Sequence, residues 1–199
     1  MTDKIVTPVE KKASVEDYLK LERRNGGSHE FIDGKILSMP NSSRTHSLIV
    51  TNATIAVGSR LRGQNCEVYA GNMRVQLSPN RFCYPSVVIV NGKPVFVGGE
   101  AETLVNPTVV VEIFSPETRS YEKLESYLEM DSVKECLLVK EDEMRIEHYA
   151  KQTVRQWIYK IYNGRDDVIS LDSVNCKTSV AEIYSQIKFE ESARQLAAA

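Results

Sequence analysis

Glu112 is a single carboxylate inside the run Val109-Val110-Val111-Glu112-Ile113-Phe114. A charge flanked by so continuous an apolar stretch is costly to bury unless it is paired or bound to a metal. An ion pair with Lys123 is the structural alternative to a functional role, and one pair could serve both. Glu30, beside His29 at the start of a short extended segment, reads by itself as an ordinary surface carboxylate. Lys123 has an equally plain reading, because Glu122, Glu125 and Glu129 around it could form a solvated helix face. His46 could contact a phosphate or orient a water, against the commoner case of a histidine satisfied within its own fold. His148 falls in an alternating strand and reads as a surface residue. Arg60, Arg62, Arg74 and Arg81 could line a groove along a nucleic-acid backbone, or simply solubilise the chain.

Several chemistries are excluded. Cys66, Cys83, Cys136 and Cys176 are dispersed, with no CxxC pair and no Cys/His spacing suited to zinc, so reduced buried thiols are expected. Gly98-Gly99 precedes no helix carrying a phosphate-loop lysine, and there is no G-x-S-x-G or paired-His motif, which removes nucleotide-loop and hydrolase-triad readings.

The elements that must position these residues follow from periodicity. Ser14 with Asp17 three positions on starts a helix whose apolar spacing runs through Val15, Tyr18, Leu19 and Leu21, and Gly26-Gly27 ends it. His29 to Met39 reads as two strands around Asp33-Gly34, a dipeptide suited to the positive φ values of a tight hairpin. Pro40 to Ser43 is a loop. Thr45 to Leu61 is a long helix closed by Gly63. Cys66 to Leu77, Phe82 to Val90 and Thr108 to Phe114 read as three extended runs, the last covered on both faces and therefore central. Ser120 to Met130 is helical and Glu135 to Lys140 is a strand, which gives a strand, helix, strand crossover. Met144 to Ala150, Gln156 to Tyr162 and Val168 to Leu171 predict a meander extending the sheet, followed by a short helix from Ser179 to Ile187.

With those elements placed, a family resemblance becomes visible. Tyr84-Pro85-Ser86, Asn106-Pro107 and Val111-Glu112-Ile113-Phe114-Ser115-Pro116 are similar to the motifs of the Uma-two-type putative restriction endonuclease domains, a branch of the PD-(D/E)XK nuclease superfamily. The likeness begins at Ser14-Val15-Glu16-Asp17-Tyr18-Leu19. It continues through Glu30-Phe31-Ile32-Asp33-Gly34-Lys35 and His46, and extends to Leu137-Leu138-Val139. The resemblance implies an α/β fold with a restriction endonuclease-like core, a mixed central sheet flanked by helices, and here a C-terminal β-meander. The domain is expected over residues 14–190, with a flexible segment before it and a disordered tail at 191–199.

The implied chemistry is metal-assisted hydrolysis of DNA phosphodiesters, in which carboxylates hold Mg²⁺ (or Mn²⁺) and a lysine helps place the attacking water. Carried over position by position, the catalytic set is Glu30, Glu112 and Lys123, the metal positions are Ser86 and Glu112, and Arg74 and His46 are candidate substrate contacts. Where the family has Pro-Asp, this chain has Pro85-Ser86, and a neutral hydroxyl is a poor substitute for a charged Mg²⁺ ligand. The segment between Ser115 and Lys123 is also shorter than the family's pattern, which could turn the ammonium by part of a helical turn. The expectation is an endonuclease impaired at Ser86, with metal binding weak or lost. The alternative is a catalytically inactive pseudo-nuclease serving as a binding or regulatory module.

The whole chain bounds these readings. A formal net charge of -2 and a pI near 6.0 over 199 residues exclude a protein that grips nucleic acid by overall positive charge, leaving a local groove for DNA. No apolar stretch approaches a bilayer span, so a cytoplasmic protein with no membrane partner is expected. A homodimer is compatible with the sequence but not demanded by it. A scaffold with no nucleic-acid role is what the acidic balance alone would suggest.

Overall fold

A computed structural model of the chain describes residues 12–25, 29–39, 41–98, 103–114 and 120–189. The first helix, α1, spans Val15–Asn25, and its start is the reciprocal bonding expected there: Ser14 Oγ accepts the amide of Asp17, and Asp17 Oδ2 accepts the amide of Ser14. Strands β1 (His29–Ile32) and β2 (Lys35–Ser38) form a hairpin. Asp33 and Gly34 turn it with φ of 50° and 95°, the left-handed pair that a two-residue turn requires. Helix α2 spans Arg44–Leu61, with Ser43 Oγ accepting the His46 amide at 2.9 Å.

The first two predicted extended runs are each broken in two. Cys66 to Leu77 becomes β3 (Cys66–Ala70) and β4 (Val75–Ser78), while Phe82 to Val90 becomes β5 (Arg81–Cys83) and β6 (Val87–Asn91). The breaks fall at Gly71, in the left-handed region at φ 80°, and at Pro85, which has no amide to give a ladder. Each break sends the chain from one sheet into another. Two short strands follow, β7 (Phe96–Val97) and β8 (Thr103–Leu104), and then the expected central strand β9 (Val109–Phe114). Helix α3 (Ser120–Glu129) crosses over to β10 (Glu135–Lys140), which lies parallel to β9. Strands β11 (Ile146–Thr153) and β12 (Gln156–Tyr162) extend that sheet antiparallel.

One sheet has the order β12-β11-β10-β9-β6-β3, and the other has β2-β1-β5-β4-β8-β7. The predicted meander stops at β12. Val168–Leu171, β13, does not join the large sheet but pairs with β14 (Cys176–Ser179) as a separate ribbon leading into α4 (Val180–Ile183). Apolar alternation reveals that a strand has a buried face and is silent about which strand it pairs with. The N-terminal segment 1–11, Gly26-Gly27, Pro40, Gly99, Ser115-Pro116 and the tail 191–199 lie outside the described residues. Among the described residues no helix is long and apolar enough to cross a membrane.

Every residue of β9 is buried because both faces of its sheet are covered. Val109, Val111 and Ile113 pack against Ile49, Ala53 and Val57 of α2 and against the ribbon and α4 through Ile169, Leu171 and Ile183. Val110 and Phe114 share the opposite face with Tyr127 of α3 and with Val75, Cys83 and Leu104 of the second sheet. Helix α1 closes the far side of that second sheet with Tyr18 on Phe31 and Phe82. Helix α3 thus touches both sheets, and the polar residues of interest gather along it.

Candidate active site

Strand alternation puts Glu112 on the same face of β9 as Val110 and Phe114, pointing at α3. Lys123 and Tyr127, one helical turn apart on α3, meet it there. Lys123 Nζ lies 2.8 Å from Glu112 Oε1 and 2.8 Å from Glu30 Oε1, which comes from β1 in the other sheet. The three side chains are 8 %, 4 % and 10 % exposed for Lys123, Glu112 and Glu30, so this is an interior ion cluster rather than a solvated helix face. The Tyr127 hydroxyl donates to Glu112 Oε1 at 2.5 Å, and Cys83 Sγ of β5 sits 3.2 Å from the same hydroxyl.

Burial by itself would lower the Lys123 ammonium, but Glu112 and Glu30 raise it well above its ordinary range. Burial, together with Cys83 and Glu112, likewise pushes the Tyr127 phenol far up, so it stays protonated and its proton goes to the carboxylate. With that proton engaged, the Cys83 thiol is left to donate to the phenol oxygen, and burial holds the thiol in its protonated form.

Ser86 stands immediately before β6. The register that pairs Val87 with Val111 carries Ser86 to the place opposite Glu112. Its Oγ accepts the amide of Ile113 at 3.1 Å, so the hydroxyl is tied into the β6–β9 ladder. The sequence-derived set of Glu30, Ser86, Glu112 and Lys123 is therefore brought to one place by strands of two sheets and one helix.

The two candidate substrate contacts lie differently. His46 is half-buried on the first turn of α2, within electrostatic range of Glu141, Glu112 and Lys123, and its Nδ1 is buried without a hydrogen-bond partner. Burial lowers the imidazole below its ordinary 6.5, opposed by Glu141 and Glu112 and reinforced by Lys123. A depressed folded-state value means that the unfolded chain takes up the proton first as pH falls, so His46 costs stability below about pH 6.5. His46→Gln should accordingly show a flatter fall in Tm than the unmodified protein from about pH 7.5 to about pH 5. Parallel curves would mean that the ring titrates freely.

Arg74 is buried at 5 % exposure, and its Nε donates to Thr103 Oγ1 at 2.7 Å. Its charge also reaches the Tyr84 phenol, which shares Glu22 with His29. Arg60 is held by Glu182 and Arg81 by Asp33. His148, read from the sequence as a surface residue, is 2 % exposed and 3.1 Å from Glu135. The reason is its strand's place: β11 is flanked by β10 and β12, and the face carrying His148 is covered by the turn at Asp172 and Ser173.

The sequence does not single out Tyr127 or Glu22, and it marks Cys83 only as a reduced buried thiol, which it is. The i,i+4 spacing of Lys123 and Tyr127 was the available signal for the first. The other two become polar partners only through contacts across the fold.

Comparison with known proteins bears on the family and the fold. The family model Uma2, described as Putative restriction endonuclease, matches residues 15–181. The chain belongs to the Uma2 family. Two uncharacterized proteins of Synechocystis sp. are similar along most of their length. One, slr1290, is 27% identical over 183 residues, covering 89% of this chain and 94% of the relative. The other, sll1609, is 26% identical over 161 residues, covering 79% and 87%. The fold is that of a crystal structure described as a putative nuclease belonging to DUF820 from Anabaena variabilis, with a TM-score of 0.70 at 18% identity over 85% of this chain and 96% of that one.

The Mg²⁺ that the Uma2 resemblance implies does not suit the residues present. Among the described residues no group of three or more His, Cys, Asp and Glu side chains could hold a metal ion. Ser86 contributes a neutral oxygen already engaged by Ile113, and both carboxylates are already bound to one ammonium. A dication on those oxygens would lie near Nζ, and at roughly 4 Å in an effective dielectric of about 20 the two would repel by about 8 kcal/mol.

Proposed function

We propose that this Uma2 protein is a nuclease-fold protein directed to DNA phosphodiesters whose metal-dependent hydrolysis is disabled at Ser86. The observation that carries the reading is the convergence of Glu30, Glu112 and Lys123 from three separate elements onto one centre, with Ser86 opposite Glu112. Two carboxylates and a lysine buried together cost desolvation, and a fold seeking stability alone could use apolar residues there. Their presence fits a centre built for charged chemistry that lacks one ligand.

With Glu30 and Glu112 sharing the Lys123 ammonium, hydrolysis would require a further anionic oxygen beside Glu112 to hold Mg²⁺. A plasmid-cleavage assay with Mg²⁺ or Mn²⁺ tests this on the unmodified chain, on Ser86→Asp, and on Ser86→Asp combined with Glu112→Ala. The unmodified chain should be inert, Ser86→Asp should cleave, and the double variant should lose that cleavage. Cleavage by the unmodified chain that disappears in Glu112→Ala would overturn the disabled-site reading. Inert protein in all three arms would favour a binding module that keeps the fold alone, for which the bonding of Tyr127 and Lys123 to Glu112 is the supporting observation.

A further inference from the structure

We infer that Lys123 is the resident cation of this centre, so that the site is electrostatically complete without a divalent metal. The inference rests on the reading of Glu30, Glu112 and Lys123 as the chain's active-site set, and concerns what that set has become. Lys123 Nζ lies 2.8 Å from one oxygen of each carboxylate, between the two sheets that supply them. A tethered ammonium satisfies both carboxylates at once, and unlike a dissolved ion it cannot be diluted away. Tyr127 donates a third hydrogen bond to the cluster, on Glu112, and Ser86 Oγ is turned to a backbone amide.

Charge counting gives the consequence. Two carboxylates and one ammonium leave the buried cluster at -1, and adding a divalent ion would bring it to +1 in a low-dielectric interior. Without the ammonium, the same two carboxylates stand at -2, which one divalent ion neutralises. The ammonium therefore holds the site against metals, and its removal should create a divalent-cation site at Glu30 and Glu112.

Mn²⁺ titration of the full chain, followed by the EPR signal of free Mn²⁺, tests this without any measurement of cleavage. The unmodified protein should take up no saturating equivalent. Lys123→Met should bind one equivalent at least about tenfold more tightly, and adding Glu112→Gln should abolish that uptake. Uptake of one equivalent by the unmodified protein that is lost in Glu112→Gln would overturn the inference, as would a folded Lys123→Met that binds none. Should Lys123→Met not fold, Lys123→Gln takes its place, and the unmodified protein's titration decides the question by itself. Inert Ser86→Asp in the plasmid assay would count against the disabled-nuclease reading and leave the Mn²⁺ result standing.

Discussion

Lys123→Met is expected to lower the unfolding free energy by about 3–5 kcal/mol, measured by urea denaturation in metal-free buffer at neutral pH. The size follows from what remains behind. Glu30 and Glu112 are nearly sealed from solvent and share one ammonium, so its removal leaves two like charges facing each other, with the Tyr127 hydroxyl still bonded to Glu112. Much of that loss should return in the triple variant Glu30→Gln, Glu112→Gln, Lys123→Met. A buried ion cluster is strongly destabilising when broken, yet often near neutral when replaced as a whole. A single variant as stable as the unmodified protein would mean that the cluster is solvated in solution. A triple variant no better than the single would locate the loss in packing instead of charge.

The second large effect is expected at the opposite end of the same parallel pair of strands. Glu135, the first residue of β10, is 3 % exposed and accepts from the amides of Asp172 and Ser173, each at 3.1 Å, from the Ser173 hydroxyl and from His148. Burial would raise its carboxyl, but the bonds from His148 and Ser173 outweigh it and hold the group below its ordinary value. This carboxylate ties the large sheet to the turn that joins β13 to β14. Glu135→Ala leaves several buried donors without an acceptor, each worth about 1–3 kcal/mol, so a total loss of about 3–5 kcal/mol is expected. Urea denaturation checks it, and a loss below about 1 kcal/mol would show that water enters to replace the carboxylate.

The two centres differ in how far the sequence disclosed them. Glu112 was legible from physics alone, because a carboxylate within six consecutive buried positions demands a partner. Its ion pair with Lys123 was among the readings that demand allowed. Glu30 was legible only through the family resemblance, since one acid beside one histidine at a strand start is ordinary. Tyr127 was hidden because an aromatic at helical spacing reads as core, which it also is. Glu135 and His148 were missed for a related reason: two-residue alternation assigns faces to a strand but does not say that a distant ribbon will cover one of them. The hairpin at Asp33-Gly34 and the crossover from β9 to β10 were readable because local backbone chemistry and a continuous apolar run specify them. The split of the two middle runs between sheets depends on the breakers Gly71 and Pro85, whose effect becomes clear only once strand partners are known.

The most direct measurement is the side-chain ¹H–¹⁵N resonance of Lys123 in the unmodified protein, followed as Mg²⁺ is added. A buried ammonium held by two carboxylates should give a slowly exchanging signal at neutral pH that is lost in Lys123→Met and does not move in millimolar Mg²⁺. A signal that exchanges as fast as a surface lysine, or one that Mg²⁺ shifts to saturation, would contradict a centre closed by its own cation.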